Sequence, residues 1–163
     1  PDAVLVLTHE TQRAAAIEAL LPHRPRRLFF EKPLVAAHGQ ADVREADFFT
    51  ARDLLNRAEA DGAETAMVFN YRFFETTRRA RRAVAERGMG RLLQASCVVH
   101  YACWSHCIDL LRGFGGPLRA ISALGGAAHG GADDVAAAFV LEGGACGTIL
   151  GTQAPRFSLP LYD

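Results

Sequence analysis

The sequence predicts an α/β protein: a partial Rossmann-like parallel sheet, followed by an α+β domain with a mainly antiparallel sheet. Three observations predict it. Short apolar runs alternate with helical patterns through residues 1–71. Consecutive strand-like runs without intervening helices then occupy the C-terminal part. A hairpin signal, Glu142-Gly143-Gly144, joins the last two of those runs.

Residues 3–7 are a continuous apolar run, the pattern of a strand buried on both faces of a parallel sheet. Thr8-His9-Glu10-Thr11 follows, and either threonine can cap the next helix. A helical pattern over 14–21 ends before Pro22, and a second strand, 27–30, closes on Glu31-Lys32-Pro33. A long amphipathic helix spans 43–61, with Phe48, Leu54, Leu55 and Ala58 on one side and Gly62 as its stop. A third strand, 65–69, ends in Asn70-Tyr71-Arg72-Phe73. This rhythm implies two right-handed crossovers. The boundary is expected near Tyr71, giving domains 1–71 and 72–163. An arginine-rich helix over 74–87 comes next, then a strand over 92–101 and a helix over 105–114 ended by Gly115-Gly116-Pro117. Strands over 118–124, 135–141 and 145–152 complete the pattern.

Composition narrows the function classes. Eighteen basic and 18 acidic side chains cancel, which argues against nucleic acid or anionic membrane as the main partner. Arg78–Arg82 alternates with Glu75 and Glu86 in the manner of a solvated helix face. No apolar run is long enough for a membrane span, and residues 1–7 read as a strand rather than a signal peptide. The four cysteines do not form a secreted disulfide framework, so a reducing cytoplasm is the expected compartment.

Lys32 is the only lysine beside 17 arginines. Arginine stays charged, whereas a partly desolvated lysine can exchange its proton. Lys32 follows a parallel strand, where α/β sheets present ligand-binding groups, and Lys32–Pro33 is a candidate cis peptide. His100, Cys103, His106 and Cys107 fall within eight residues, and imidazole with thiolate suits zinc. Their spacing matches no common zinc pattern, and cysteines also bury as plain hydrophobes. No Gly-x-Gly-x-x-Gly follows any strand, and Gly113-Phe114-Gly115-Gly116 precedes Pro117 and a strand, so it is not a phosphate loop.

The order of motifs resembles the glucose–fructose oxidoreductase / inositol dehydrogenase family, Gfo/Idh/MocA. Residues 1–8 look like its fourth Rossmann strand and the threonine after it, and Glu31-Lys32-Pro33 looks like its Glu-Lys-Pro signature. Phe69-Asn70-Tyr71-Arg72-Phe73 looks like the strand end that enters the second domain. His106-Cys107-Ile108-Asp109-Leu110-Leu111 looks like its His-x-x-Asp helix, and residues 133–148 look like its second sheet. The sequence departs from the family in several places. The family's glycine-rich first βαβ unit is expected upstream of Pro1, so the chain reads as truncated. Ala102 stands where an aspartate usually precedes the histidine by four residues. The segment over 100–105 is short, and the C-terminal sheet stops early.

The resemblance implies an NAD(P)-dependent oxidoreductase acting on a sugar, cyclitol or related polyol, with NAD or NADP as cofactor. It implies His106 as general base and Lys32 as the cation that polarises the substrate oxygen. Without a carboxylate at position 102, His106 would be less well oriented and less basic. Its alternative is structural, covering the Trp104 ring beneath a Ser105 cap. Asp109 is expected to face the helix interior or cap nearby backbone, and Tyr101 is a possible proton donor. Thr8, His9, Glu31, Lys32, Pro33, Asn70 and Arg72 are the candidates for the cofactor cleft. Thr8 serves equally well as a helix cap, and Arg72 either meets an anion or pairs with Glu75 at i,i+3. A homo-oligomer through the open face of the C-terminal sheet is also implied. Two other readings stand beside this one: a non-catalytic relative acting as a binding or assembly subunit, and a zinc-binding module.

Overall fold

The computed structural model describes residues 2–40, 42–100, 103–128 and 133–152. Tyr101, the possible proton donor, and Ala102, at the position of the usual aspartate, lie outside these residues. The chain divides into two compact units, Pro1–Val68 and Phe69–Asp163, a division three residues earlier than the boundary expected near Tyr71.

The first unit is a three-stranded parallel sheet in the order β1 (Val4–Val6), β2 (Arg27–Phe30), β3 (Glu64–Met67). α1 (Glu10–Leu20) and α2 (Glu45–Ala60) make the two crossovers. Two right-handed crossovers that step in the same direction place both helices on one face of the sheet. The register puts Val4 opposite Leu28 and Val6 opposite Phe30. That face meets Ile17, Leu21, Leu54 and Ala58 in one apolar core. On the other face, Leu5 and Leu7 are each 61% exposed among the described residues. The expectation of a strand buried on both faces is therefore corrected: among the described residues β1 is buried on one face.

Local signals set the ends of these elements. α1 begins at Glu10 with His9 as its cap, not Thr8 or Thr11; His9 Nδ1 accepts from the Thr11 N–H at 3.5 Å. Pro22 sits in the opening turn of a 3-10 segment, Leu21–His23, where its missing N–H costs nothing. Asp61 caps α2 at its C-terminus, and Gly62 follows at φ +82°, a conformation that favours glycine. The inner face of α2 carries Asp47, Leu54 and Ala58. Phe48, expected on that face, is 59% exposed and lies edge-on to Phe49 under the Arg52 guanidinium.

The second unit begins with a 3-10 turn, Asn70–Phe73, and α3 (Glu75–Glu86), a helix with no buried residue. Its sheet has the order β4 (Gln94–His100), β7 (Cys146–Thr152), β6 (Asp133–Leu141), β5 (Leu118–Ala128). The β5–β6 and β6–β7 pairs are antiparallel, and β4 joins β7 in parallel, so the sheet is mixed and mainly antiparallel. The β6–β7 turn closes as expected, with Gly144 at φ +85°. α4 (Trp104–Gly115) covers one face, packing Cys103, Cys107 and Leu111 against Val99, Phe139, Leu141 and Ile149. Trp104 lies over Gly151, where a Cβ would come within 2.1 Å of the indole nitrogen. The opposite face carries the cross-strand row Val98, Leu150, Ala136, Leu124.

Candidate active site

In the first unit, the residues after β1 and β2 meet at the C-terminal edge of the sheet. Arg13 holds them there. It is 1% exposed, on the same face of α1 as Ile17. Its Nη1 donates to the carbonyls of Glu31 (2.6 Å) and Pro33, and its Nη2 donates to the carbonyl of Thr8. One planar fork thus ties the β1–α1 turn to the Glu31-Lys32-Pro33 bend. Burial pulls the Arg13 pKa down, while the Glu10 and Glu31 carboxylates oppose that shift. The Lys32–Pro33 peptide is cis. The stretch beyond it is anchored by Asp47, which accepts from the N–H of Ala37 (3.0 Å) and of Arg44 (2.9 Å). The edge therefore gathers Thr8, His9, Glu31, Lys32 and Pro33 on a braced backbone. Nothing in the local sequence pattern pointed to Arg13: it lies before the helix expected over 14–21, whereas α1 begins at Glu10, and arginine is rarely buried so fully.

In the second unit, His106 lies in the first turn of α4 and is buried. Its ring stacks flat on Tyr71, with centroids 4.1 Å apart and planes 9° apart. Phe69 meets it edge-on at 5.7 Å. The imidazole thus packs against aromatic rings at the turn that precedes α3. Cys103, not Ser105, is the N-cap, and it makes no side-chain capping bond. Asp109, three residues on, is 6% exposed at its side chain, and Arg72 binds it with two nitrogens. Nε donates to Oδ2 at 2.5 Å and Nη2 to Oδ1 at 2.5 Å. The pairing raises the Arg72 pKa further. The alternative pairing of Arg72 with Glu75 is not formed; Glu75 accepts from Arg82 instead, at 2.7 Å. Nor does Asp109 cap backbone. Asn70 lies in the same turn as Tyr71 and Arg72.

Cys103 and Cys107 are core residues, Cys97 is half-buried and Cys146 is exposed. The neighbouring Cys107 thiol lowers Cys97 to about 7, while Cys97 and burial raise Cys107. Both line an apolar cavity of about 220 Å³ with Leu92, Leu111 and Phe114, a lining unsuited to a polyol. Among the described residues, no group of three or more His, Cys, Asp or Glu side chains could hold a metal ion. No helix of the described residues is long and apolar enough to cross a membrane.

The cofactor implied by the resemblance can be tested against these groups. A cation, hydroxyl and imidazole at the C-terminal edge of a parallel sheet suit the nicotinamide end of NAD or NADP. The pyrophosphate end finds no cradle at the two helix N-termini of the first unit. A helix N-terminus that takes a phosphate offers free N–H groups and close backbone approach. α1 instead begins with a His9 cap and the Glu10 carboxylate, and α2 begins with Glu45 and Asp47. Both N-termini present carboxylates where a dianion would have to sit.

Comparison with known proteins places the fold. No family model matches the sequence, and no curated protein matches it. Solved structures do match, and they are dehydrogenases of the Gfo/Idh/MocA type. A Sinorhizobium meliloti 1021 protein assigned as a myo-inositol dehydrogenase superposes with a TM-score of 0.77 at 18% identity, over 99% of this chain and 53% of its own. An oxidoreductase from Agrobacterium radiobacter, in complex with NAD+, L-tartaric acid and magnesium, gives 0.74 at 17%, over 99% and 52%. The WlbA dehydrogenase from Bordetella pertussis, in complex with NADH and UDP-GlcNAcA, gives 0.67 at 18%, over 91% and 48%. The chain spans about half the length of these neighbours and shares the fold of that half.

Proposed function

We propose that this chain carries the substrate-handling part of an NAD(P)-dependent oxidoreductase of the Gfo/Idh/MocA type, acting on a hydroxyl or carbonyl of a sugar, cyclitol or polyol. The observation that carries the reading is the Arg13 clamp, which braces the bend bearing the chain's only lysine at the ligand edge of a parallel sheet. The fold shared with dehydrogenases, some of them crystallised with NAD or NADH and sugar-type ligands, supports it.

In this reading a substrate hydroxyl gives its proton to the His106 imidazole while its carbon gives up a hydride. When bound, the nicotinamide accepts that hydride. The Lys32 ammonium stabilises the oxygen as negative charge develops on it. In the reverse direction His106 returns the proton. Thr8, His9, Glu31 and Pro33 are the cofactor contacts of this reading in the first unit, and Asn70 is its candidate in the second. Arg72 already gives Asp109 two nitrogens and remains 40% exposed at its side chain, so an anion would meet only its remaining donors.

The test is nicotinamide reduction by the whole protein over a panel of sugars, cyclitols and polyols, with NAD and NADP. Turnover is expected with one substrate class, falling by about two to four orders of magnitude in His106→Asn, the usual span for losing a general base. Lys32→Ala is expected to fall similarly. Unchanged turnover in both variants would contradict the roles of base and polarising cation. A second reading, a non-catalytic binding or assembly subunit, draws on the carboxylates at both helix N-termini and on the apolar row across the open sheet face. We propose that copies pair through that row. A solution mass of one chain, unchanged in Leu124→Asp, would count against this pairing.

A further inference from the structure

A general base must present one nitrogen in one direction, yet a histidine side chain has two torsions to be fixed. His106 is held by rings that come from the Asn70–Phe73 turn and its flanks. Tyr71 stacks on it at 4.1 Å, Phe74 stacks on Tyr71 at 4.6 Å, and Phe69 meets the imidazole edge-on. A single 3-10 turn has little stability of its own. Its place against α4 must come from what ties it there. The Tyr71 hydroxyl reaches Cys103 Sγ at 4.0 Å, a weak contact. The strong tie is Arg72, the next residue, whose Nε and Nη2 grip both oxygens of Asp109. Asp109 lies three residues after His106, close to one helical turn along α4. A two-pronged bond of this kind fixes direction as well as distance, and the burial of Asp109 spares it the screening that weakens surface pairs.

We propose that Arg72 is a positioning residue: by gripping Asp109 it fixes the Asn70–Phe73 turn against α4 and so holds the Tyr71 ring flat on the His106 imidazole. The inference rests on the reading of His106 as the general base. It assigns the orienting task to a cation and an aromatic ring, with Arg72 acting through Tyr71 and never touching the reacting atoms. Arginine is required for the task, because lysine cannot fork across both carboxylate oxygens.

The test reads the stack directly and needs no turnover. The carbon-bound protons of His106 are followed by NMR in the whole protein, where the Tyr71 ring current shifts them. Tyr71→Leu defines the shift that remains when the ring is gone. Arg72→Gln and Asp109→Asn are each expected to move the His106 signals most of the way to the Tyr71→Leu position while circular dichroism keeps the fold. Arg72→Lys is expected to fall between. His106 signals unmoved in folded Arg72→Gln or Asp109→Asn would overturn the proposal. So would collapse of the whole fold in both variants, since the pair would then hold up the unit rather than aim the ring. With an active substrate in hand, Arg72→Gln is expected to lower kcat with KM little changed. Signals that move as expected in a protein without turnover would sink the enzyme reading and leave the positioning intact.

Discussion

Arg13 and the Arg72–Asp109 pair show how single residues carry this structure. Arg13 satisfies three carbonyls that leave the sheet edge, so replacing it strands all three at once. Arg13→Met keeps the length of the side chain and its apolar stem. It is expected to lower the stability of the first unit by roughly 1–3 kcal/mol for each carbonyl left without a donor. A urea titration, with amide shifts of residues 31–34 as the local probe, checks both the loss and its location. A neutral change would mean that the fork does not brace the bend. These residues also mark where sequence reading stopped. Lys32 and His106 stood out by rarity and motif. Asp109 was legible as an inward residue of the His-x-x-Asp motif, but Arg13 was not, because it lies before the helix expected over 14–21 and arginine is rarely buried. Asp109 and Arg72 are separated by 37 positions, and no periodicity within one sequence links them.

At the scale of elements, two helix and strand features have measurable consequences. Asp47 sits at the third position of α2 and accepts from the N–H of Arg44, then of Ala37, which holds its carboxyl below the usual carboxylate range. A carboxyl with a depressed folded value adds stability that is fully present above its unfolded value, roughly 3.9, and is lost as pH falls through the folded value. Acid unfolding of the first unit is therefore expected to steepen below that pH. In Asp47→Asn that steepening disappears and neutral-pH stability falls; an acid titration that superposes on the parent's would contradict the assignment. In the second unit, Gly151 makes room for the Trp104 indole and Gly147 for the Ala95 carbonyl. Gly151→Ala is expected to cost about 1–3 kcal/mol by overpacking. Gly147→Ala is expected to cost more, because its Cβ would lie 1.8 Å from a backbone oxygen that cannot swing aside. Thermal melts of the two variants rank them, and the reverse order would refute the packing described. Most elements were legible from period and punctuation: β2, the crossovers and the Gly143-Gly144 hairpin agree with their signals. The exceptions have local causes. His9 displaced the threonines as the cap of α1. Asp47 took the inward position near the start of α2, and Phe48 was turned out beneath Arg52.

At the scale of the molecule, each unit carries a residue named in the proposed chemistry. The first presents Lys32 at a sheet edge, and the second presents His106 at a helix start. The change from alternating to consecutive strands made this two-part organisation readable. The β4–β7 parallel pair was less readable, since it joins the first and last strands of the second sheet, and long-range pairing leaves no mark on local pattern. Central to the proposed chemistry is that the edge braced by Arg13 faces the nicotinamide. The most direct measurement is a titration of the isotope-labelled whole protein with NADH, followed by amide shifts. Saturable shifts are expected, centred on Thr8, His9 and Glu31 through Leu34, and lost in Lys32→Ala. An absence of saturable shifts in the folded protein, or shifts centred elsewhere in the first unit, would contradict that placement of the cofactor.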